Sequence, residues 1–153
     1  MIKFFKEKDD SYWKLYRDQR AQLDACKREP DFVDWFCWKL KEIDAVARLT
    51  NPLLKIGIPD LHIEHTLFSG FVEFKSEKGA LSKEQKFQVA SLFASGSNVL
   101  IVRYFMDYER HFKIVSEDIF GCGLLELSLI EDVGGETLLQ FLKQSIDIWY
   151  SEW

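Results

Sequence analysis

The stretch GIPDLHIEHTLFSGFVEFKSEKGALSKEQ, from Gly57 to Gln85, holds the residues best suited to chemistry. Asp60 follows a proline, and Glu73 and Lys75 stand two apart inside the apolar run FVEFK. Residues two apart on an extended strand share a face. An extended PDLHI therefore puts Asp60 beside His62, and an extended FVEFK puts Glu73 beside Lys75. If the two faces coincide, two carboxylates and one ammonium converge. Paired carboxylates offer the hard oxygen ligands that Mg²⁺ or Mn²⁺ favours. Such an ion polarises a phosphoryl oxygen and lowers the pKa of a water beside it. The backbone carbonyl of Phe74 lies between the two side chains and is a further candidate ligand. Lys75 is placed to orient the water or to meet the charge that develops on a phosphate.

Each residue also has a plainer role. Asp after Pro is common turn chemistry, and Glu and Lys are ordinary on the solvated face of an edge strand. Ser82 to Gln85 fits a capping box, in which Gln85 reaches back to the Ser82 amide. That role and one beside the site are compatible. His62 reads as a polar strand residue, with a place next to the metal as its alternative. Lys78, Lys83, Lys86 and Arg103 read as surface charge, or as phosphate contacts if nucleic acid binds.

The elements that must position these residues are legible from period and punctuation. Asp9, Asp10 and Ser11 can cap a first helix that runs to about Lys27, where Glu29-Pro30 breaks it. Phe32, Trp35, Phe36, Leu40 and Ile43 give a second helix, from Asp31, a broad apolar face. Trp35, Phe36 and Trp38 are expected in the core. Asn51-Pro52 reads as a turn. Leu61 and Ile63 alternate with polar residues, and Phe71 to Ser76 forms the second strand of a hairpin. Within it Val72 and Phe74 share one face, and Phe71, Glu73 and Lys75 the other. A helix capped at Ser82 ends near Ser95-Gly96. Asn98 to Phe105 reads as a central strand. Residues 112–119 and 124–130 are candidate strands, and a helix over about 136–150 closes the chain. The fold class implied is α/β, an α+β mixed sheet with helices on both faces and extra N- and C-terminal helices.

Pro59-Asp60 followed by Glu73-Phe74-Lys75 resembles the PD-(D/E)xK signature of restriction-endonuclease-like nucleases. The wider run is similar to the VRR-NUC branch of that superfamily: GIPDLHI, a hairpin gap, FVEFKSEKGALSKEQ, a helix, then GSNVLIVR. The resemblance covers about Asn51 to Arg103, roughly a third of the chain. It implies a restriction-endonuclease-like core over about 31–105 and metal-dependent cleavage of DNA, duplex or branched. It implies metal ligands at Asp60 and Glu73 and a catalytic set of Asp60, Glu73, Lys75 and Gln85, the last on the family's helix position near the site. The family often carries a further glutamate ligand on the helix before the hairpin; Glu42 is the first candidate and Glu29 the second. Small stand-alone members tend to form homodimers. Residues 1–30 and 106–153 would then be extensions of a single domain spanning 1–153.

The totals limit the alternatives. A chain of 153 residues suits one domain. The net charge of −5 is unusual for a dedicated nucleic-acid binder, although a site can be locally basic in an acidic protein. It keeps open a second function class: an interaction protein or phage-type inhibitor that uses a nuclease-like scaffold and an acidic surface to bind a host nuclease or defence complex. RNA cleavage is a third reading. Cys26, Cys37 and Cys122 form no metal-ligand spacing and, being odd in number, no complete disulfide framework. No apolar run approaches the ~20 residues of a membrane span, and the start of the chain turns charged too early for a signal peptide. A cytoplasmic setting is the expectation.

Overall fold

The computed structural model describes residues 8–50 and 57–152. Six strands form one sheet: β1 (Val46–Leu49), β2 (Leu61–Glu64), β3 (Ser69–Ser76), β4 (Val99–Met106), β5 (Phe112–Glu117) and β6 (Gly123–Ser128). They lie in chain order, and every neighbouring pair is antiparallel except β3 and β4, which run parallel. A parallel pair needs a long crossover, and the helix α4 (Lys83–Ala94) supplies it. The other helices are α1 (Asp10–Trp13), α2 (Gln19–Asp24), α3 (Glu29–Lys41) and α5 (Gly135–Ser151). The fold is thus a mixed α+β sheet, as the element pattern implies.

Alternation along the central strands sorts the helices onto two faces. Val72, Phe74, Leu100 and Val102 point into a large core with Phe32, Phe36, Leu40, Leu138, Leu142 and Trp149 from α3 and α5. Val99 and Ile101 point the other way and join Val89, Leu92 and Phe71 under α4. The large face is rich in rings: Phe74 meets Phe32 and Phe36 edge-on at 5.8 and 5.1 Å. Such contacts favour fixed geometry beyond the area they bury. They anchor β3, the strand that carries Glu73 and Lys75.

Three sequence expectations need correction. The first helix does not run unbroken to Lys27. It is two short helices, capped separately by the Asp9 and Asp18 side chains. An aspartate inside the span competes for backbone amides and starts a new helix. The second helix begins at Glu29, not Asp31, because Pro30 is tolerated where the amide has no intrahelical partner. Finally, Val46–Leu49 is an edge strand paired with β2 that alternation did not announce. The expected turn at Asn51-Pro52 lies outside the described residues.

The C-terminal helix α5 closes on the rest by close approach. Gly135, at the start of α5, lies against the end of α3, where an added Cβ would collide with the Lys39 carbonyl. At the other end of α5, Trp149 stacks on Phe93 at 4.8 Å. Among the described residues no helix is long and apolar enough to cross a membrane.

Candidate metal centre

The hairpin sets the register of the site. Leu61 pairs with Val72 and His62 with Phe71, so Asp60 falls just past the paired part of β2, alongside Glu73 and Phe74. The Asp60 Oδ2 accepts the Phe74 amide proton at 2.9 Å. This bond fixes the carboxylate at the gap where β2 stops pairing. An extended residue presents its N–H and C=O to the same side, so the Phe74 carbonyl also faces Asp60.

Glu73 is the unusual member. It is 1% exposed, and its strand neighbours are core residues. Its Oε1 accepts from Gln85 Nε2 at 3.2 Å. Its Oε2 is buried and, among the described residues, has no hydrogen-bond partner. The group that approaches is a second carboxylate, Asp60. Burial, then the Asp60 charge and the contact with Asp60, push the Glu73 carboxyl well up, while Lys75 opposes them. Burial likewise raises Asp60, against the pull of its hydrogen bonds and of Lys75.

A third carboxylate completes the group. Glu29, Asp60 and Glu73 each bring an oxygen within 4.8 Å of the others. Burial, then the Asp60 charge, raises Glu29 too, with Lys75 again opposing. Three carboxylates crowded in low dielectric must take up protons or share a cation. A cation in the group would give the Glu73 Oε2 the partner it does not have among the described residues. The arrangement can hold a metal ion.

The structure brings together Asp60, Glu73, Lys75, Gln85 and the Phe74 backbone, all from the sequence reading. It replaces Glu42 with Glu29. Glu42 caps the C-terminus of α3, 3.7 Å from Lys39. The 13 residues of α3 put Glu42 on the order of 20 Å from Glu29, at the opposite end of the helix. In the sequence Glu29 ranks second to Glu42 as the further ligand, and Glu29-Pro30 reads as the end of the first helix. An acidic residue next to a first-turn proline is, however, a helix-start signal.

His62 shares a sheet face with Glu73 but not the cluster. Its ring stacks on Phe71 at 4.6 Å, and its Nε2 lies 3.8 Å from Glu64. Gln85 performs both duties open to it: its Oε1 accepts from the Ser82 amide at 2.8 Å, and its Nε2 holds Glu73. Lys78, Lys83 and Lys86 are exposed. Arg103 is not a free surface cation. Its Nε donates to Glu117 at 2.7 Å, and its Nη1 donates to the Ser76 and Gly79 carbonyls. Fixed in this way, it ties β4 to the turn after β3.

The chain matches no family model, no curated protein and no solved structure.

Proposed function

We propose that this protein is a metal-dependent nuclease that hydrolyses phosphodiester bonds in DNA, with Mg²⁺ or Mn²⁺ held by Glu29, Asp60 and Glu73. One observation carries the reading. A buried glutamate with one oxygen unpartnered among the described residues is grouped with two more carboxylates, and a lysine close enough to oppose all three pKa shifts stands beside them. The likeness of PD and EFK to the PD-(D/E)xK signature supports it independently.

A divalent cation bound there supplies Lewis-acid charge to the phosphoryl group and acidifies a water. The chain's own residues do the rest. Glu73 is held in one rotamer by Gln85, and Asp60 by the Phe74 amide, so the ligand oxygens need little reorganisation. Lys75 sits two residues from Glu73 on the same face. It orients the attacking water for in-line attack and stabilises charge as it builds on the phosphate. Action as a homodimer, with two sites addressing two strands, extends the proposal to duplex or branched DNA.

The deciding experiment is cleavage of a labelled panel: single-stranded, duplex, flapped and four-way DNA, and RNA. Each is incubated with Mg²⁺, Mn²⁺ or EDTA, using the wild type, Asp60→Ala and Lys75→Ala. Metal-dependent cutting that both substitutions reduce by about 10²-fold or more is expected, the scale at which one transition-state stabiliser contributes. Folded protein that cuts nothing would overturn the nuclease reading and favour a protein partner for the same surface.

A further inference from the structure

A second feature shares the sheet face of Glu73. Ile101 pairs with Glu73 across the β3–β4 ladder, and Arg103 pairs with Lys75. Both residues line a cavity of about 400 Å³ between α4 and the loop that follows β5. Cross-strand neighbours share a face, so this cavity opens one strand away from the carboxylates. The Lys75 stem packs along Gly79, its Cδ 3.4 Å from where a glycine Cβ would stand, and the next residue, Ala80, lines the cavity. One turn thus separates the lysine from the cavity.

The lining has a definite chemistry. Leu81, Val89 and Ile101 form an apolar floor, and the exposed Lys86 brings a cation to the wall. Phe120 lines the cavity while 72% exposed, which puts its ring at the rim. The loop that carries the ring is built: the Asp118 carboxylate accepts from the Phe120 and Cys122 amides at 2.8 and 3.0 Å. The Arg103 guanidinium, also in the lining, is pinned by Glu117. A volume of this size falls in the ~300–1,000 Å³ range of small-ligand sites. An apolar floor, an aromatic ring at the rim and a nearby cation match one occupant well: a base for the ring and floor, its phosphate for the lysine.

We propose that this cavity receives one unpaired nucleobase of the substrate strand, next to the phosphate presented at the carboxylates. The proposal deepens the nuclease reading and rests on it for where the strand lies. A base inside a duplex cannot reach a side cavity unless it is unstacked. The substrate class is therefore nucleic acid with an unpaired nucleotide beside the cut: a flap, a frayed end or a single strand.

The test is binding without cleavage. A short single-stranded DNA carrying one 2-aminopurine is titrated in EDTA with the wild type, Phe120→Ala and Ala90→Phe. Ala90 lines the cavity from an exposed position on α4, so a ring there fills the space without entering the core. Circular dichroism verifies that each variant is folded. The expected result is a fluorescence change on binding to the wild type, with affinity roughly tenfold weaker in both variants, as loss of one stacked base implies. An oligonucleotide with an abasic position in place of the probe should bind the wild type as weakly as the variants bind the probe. Equal affinity across all three proteins, equal affinity for the abasic strand, or no binding at all would overturn the proposal. Cleavage with Mg²⁺ or Mn²⁺ is scored separately. Cutting that persists unchanged in folded Ala90→Phe sinks the base cavity and leaves the nuclease standing. Base-dependent binding without cutting supports the cavity and sinks the nuclease.

Discussion

At the scale of single residues, the site is defined by what Glu73 lacks. A buried carboxylate with one oxygen held by an amide and the other facing like charge is costly by itself. The cost is offset when a cation enters, so ligand binding and local stability are linked. Exchanging Glu29 and Glu42 in turn tests which glutamate belongs to the group. Glu29→Gln should weaken Mn²⁺ binding by about tenfold or more, as loss of one charged ligand implies, whereas Glu42→Gln should leave it unchanged; titration calorimetry reads both. Equal effects would remove Glu29 from the site.

Cysteine chemistry gives an independent check on burial. Burial first, then the Asp31 charge, pushes the Cys26 thiol from 9.0 up to about 12. Cys37 is buried and Cys122 exposed. At about pH 8, a thiol reagent should label exposed Cys122 rapidly in the native protein, half-buried Cys26 slowly because its raised pKa leaves little thiolate, and buried Cys37 only after unfolding. Because the folded value of Cys26 lies above the unfolded one, its contribution to stability is whole below pH 9.0 and is lost as pH rises through about 12. The alkaline fall in Tm should therefore be shallower in Cys26→Ala.

At the scale of elements, α4 links cap and site. Ser82 accepts the Gln85 amide at 3.1 Å, and Gln85 answers through its side chain. Ser82→Ala should cost about 1 kcal/mol, the usual worth of an N-cap, and leave metal affinity nearly unchanged. Gln85→Ala removes the return bond and the hold on Glu73 together, so it should lower both Tm and Mn²⁺ affinity. Thermal melts with and without the metal separate the two effects. If Ser82→Ala weakened the metal as much as Gln85→Ala does, the direct bond to Glu73 would not matter. The capping box was legible because it is local: three residues and their amides specify it. The short α1 and α2 were not, since aspartate competition for amides depends on what the chain does on either side.

At the scale of the whole molecule, the two faces of the sheet divide the labour. The ring-rich face under α3 and α5 carries the stability; the face under α4 carries Glu73 and Lys75, and the first residue of α3, Glu29, reaches the same carboxylate group. Gly135 is where the stabilising layer is tightest. Gly135→Ala should destabilise by about 1–3 kcal/mol, the usual cost of overpacking, and shift Tm down by about 2–4 °C per kcal/mol in a chain of this size. A denaturation curve that did not move would show that α3 and α5 have room to part.

The sequence by itself determined the strand faces of β2 and β3, the cap of α4, the central position of β4 and the placing of Glu73 and Lys75 on one face. Those features depend on period and on contacts a few residues long, which a linear pattern records. Only the tertiary structure decided that Glu29 and not Glu42 meets Asp60 and Glu73, that Arg103 is tied to Glu117, and that Phe120 rims a cavity beside Lys75. Each of those contacts joins separate elements. Their geometry is set by how α3 and the β5–β6 loop pack against the sheet, and no local pattern encodes that.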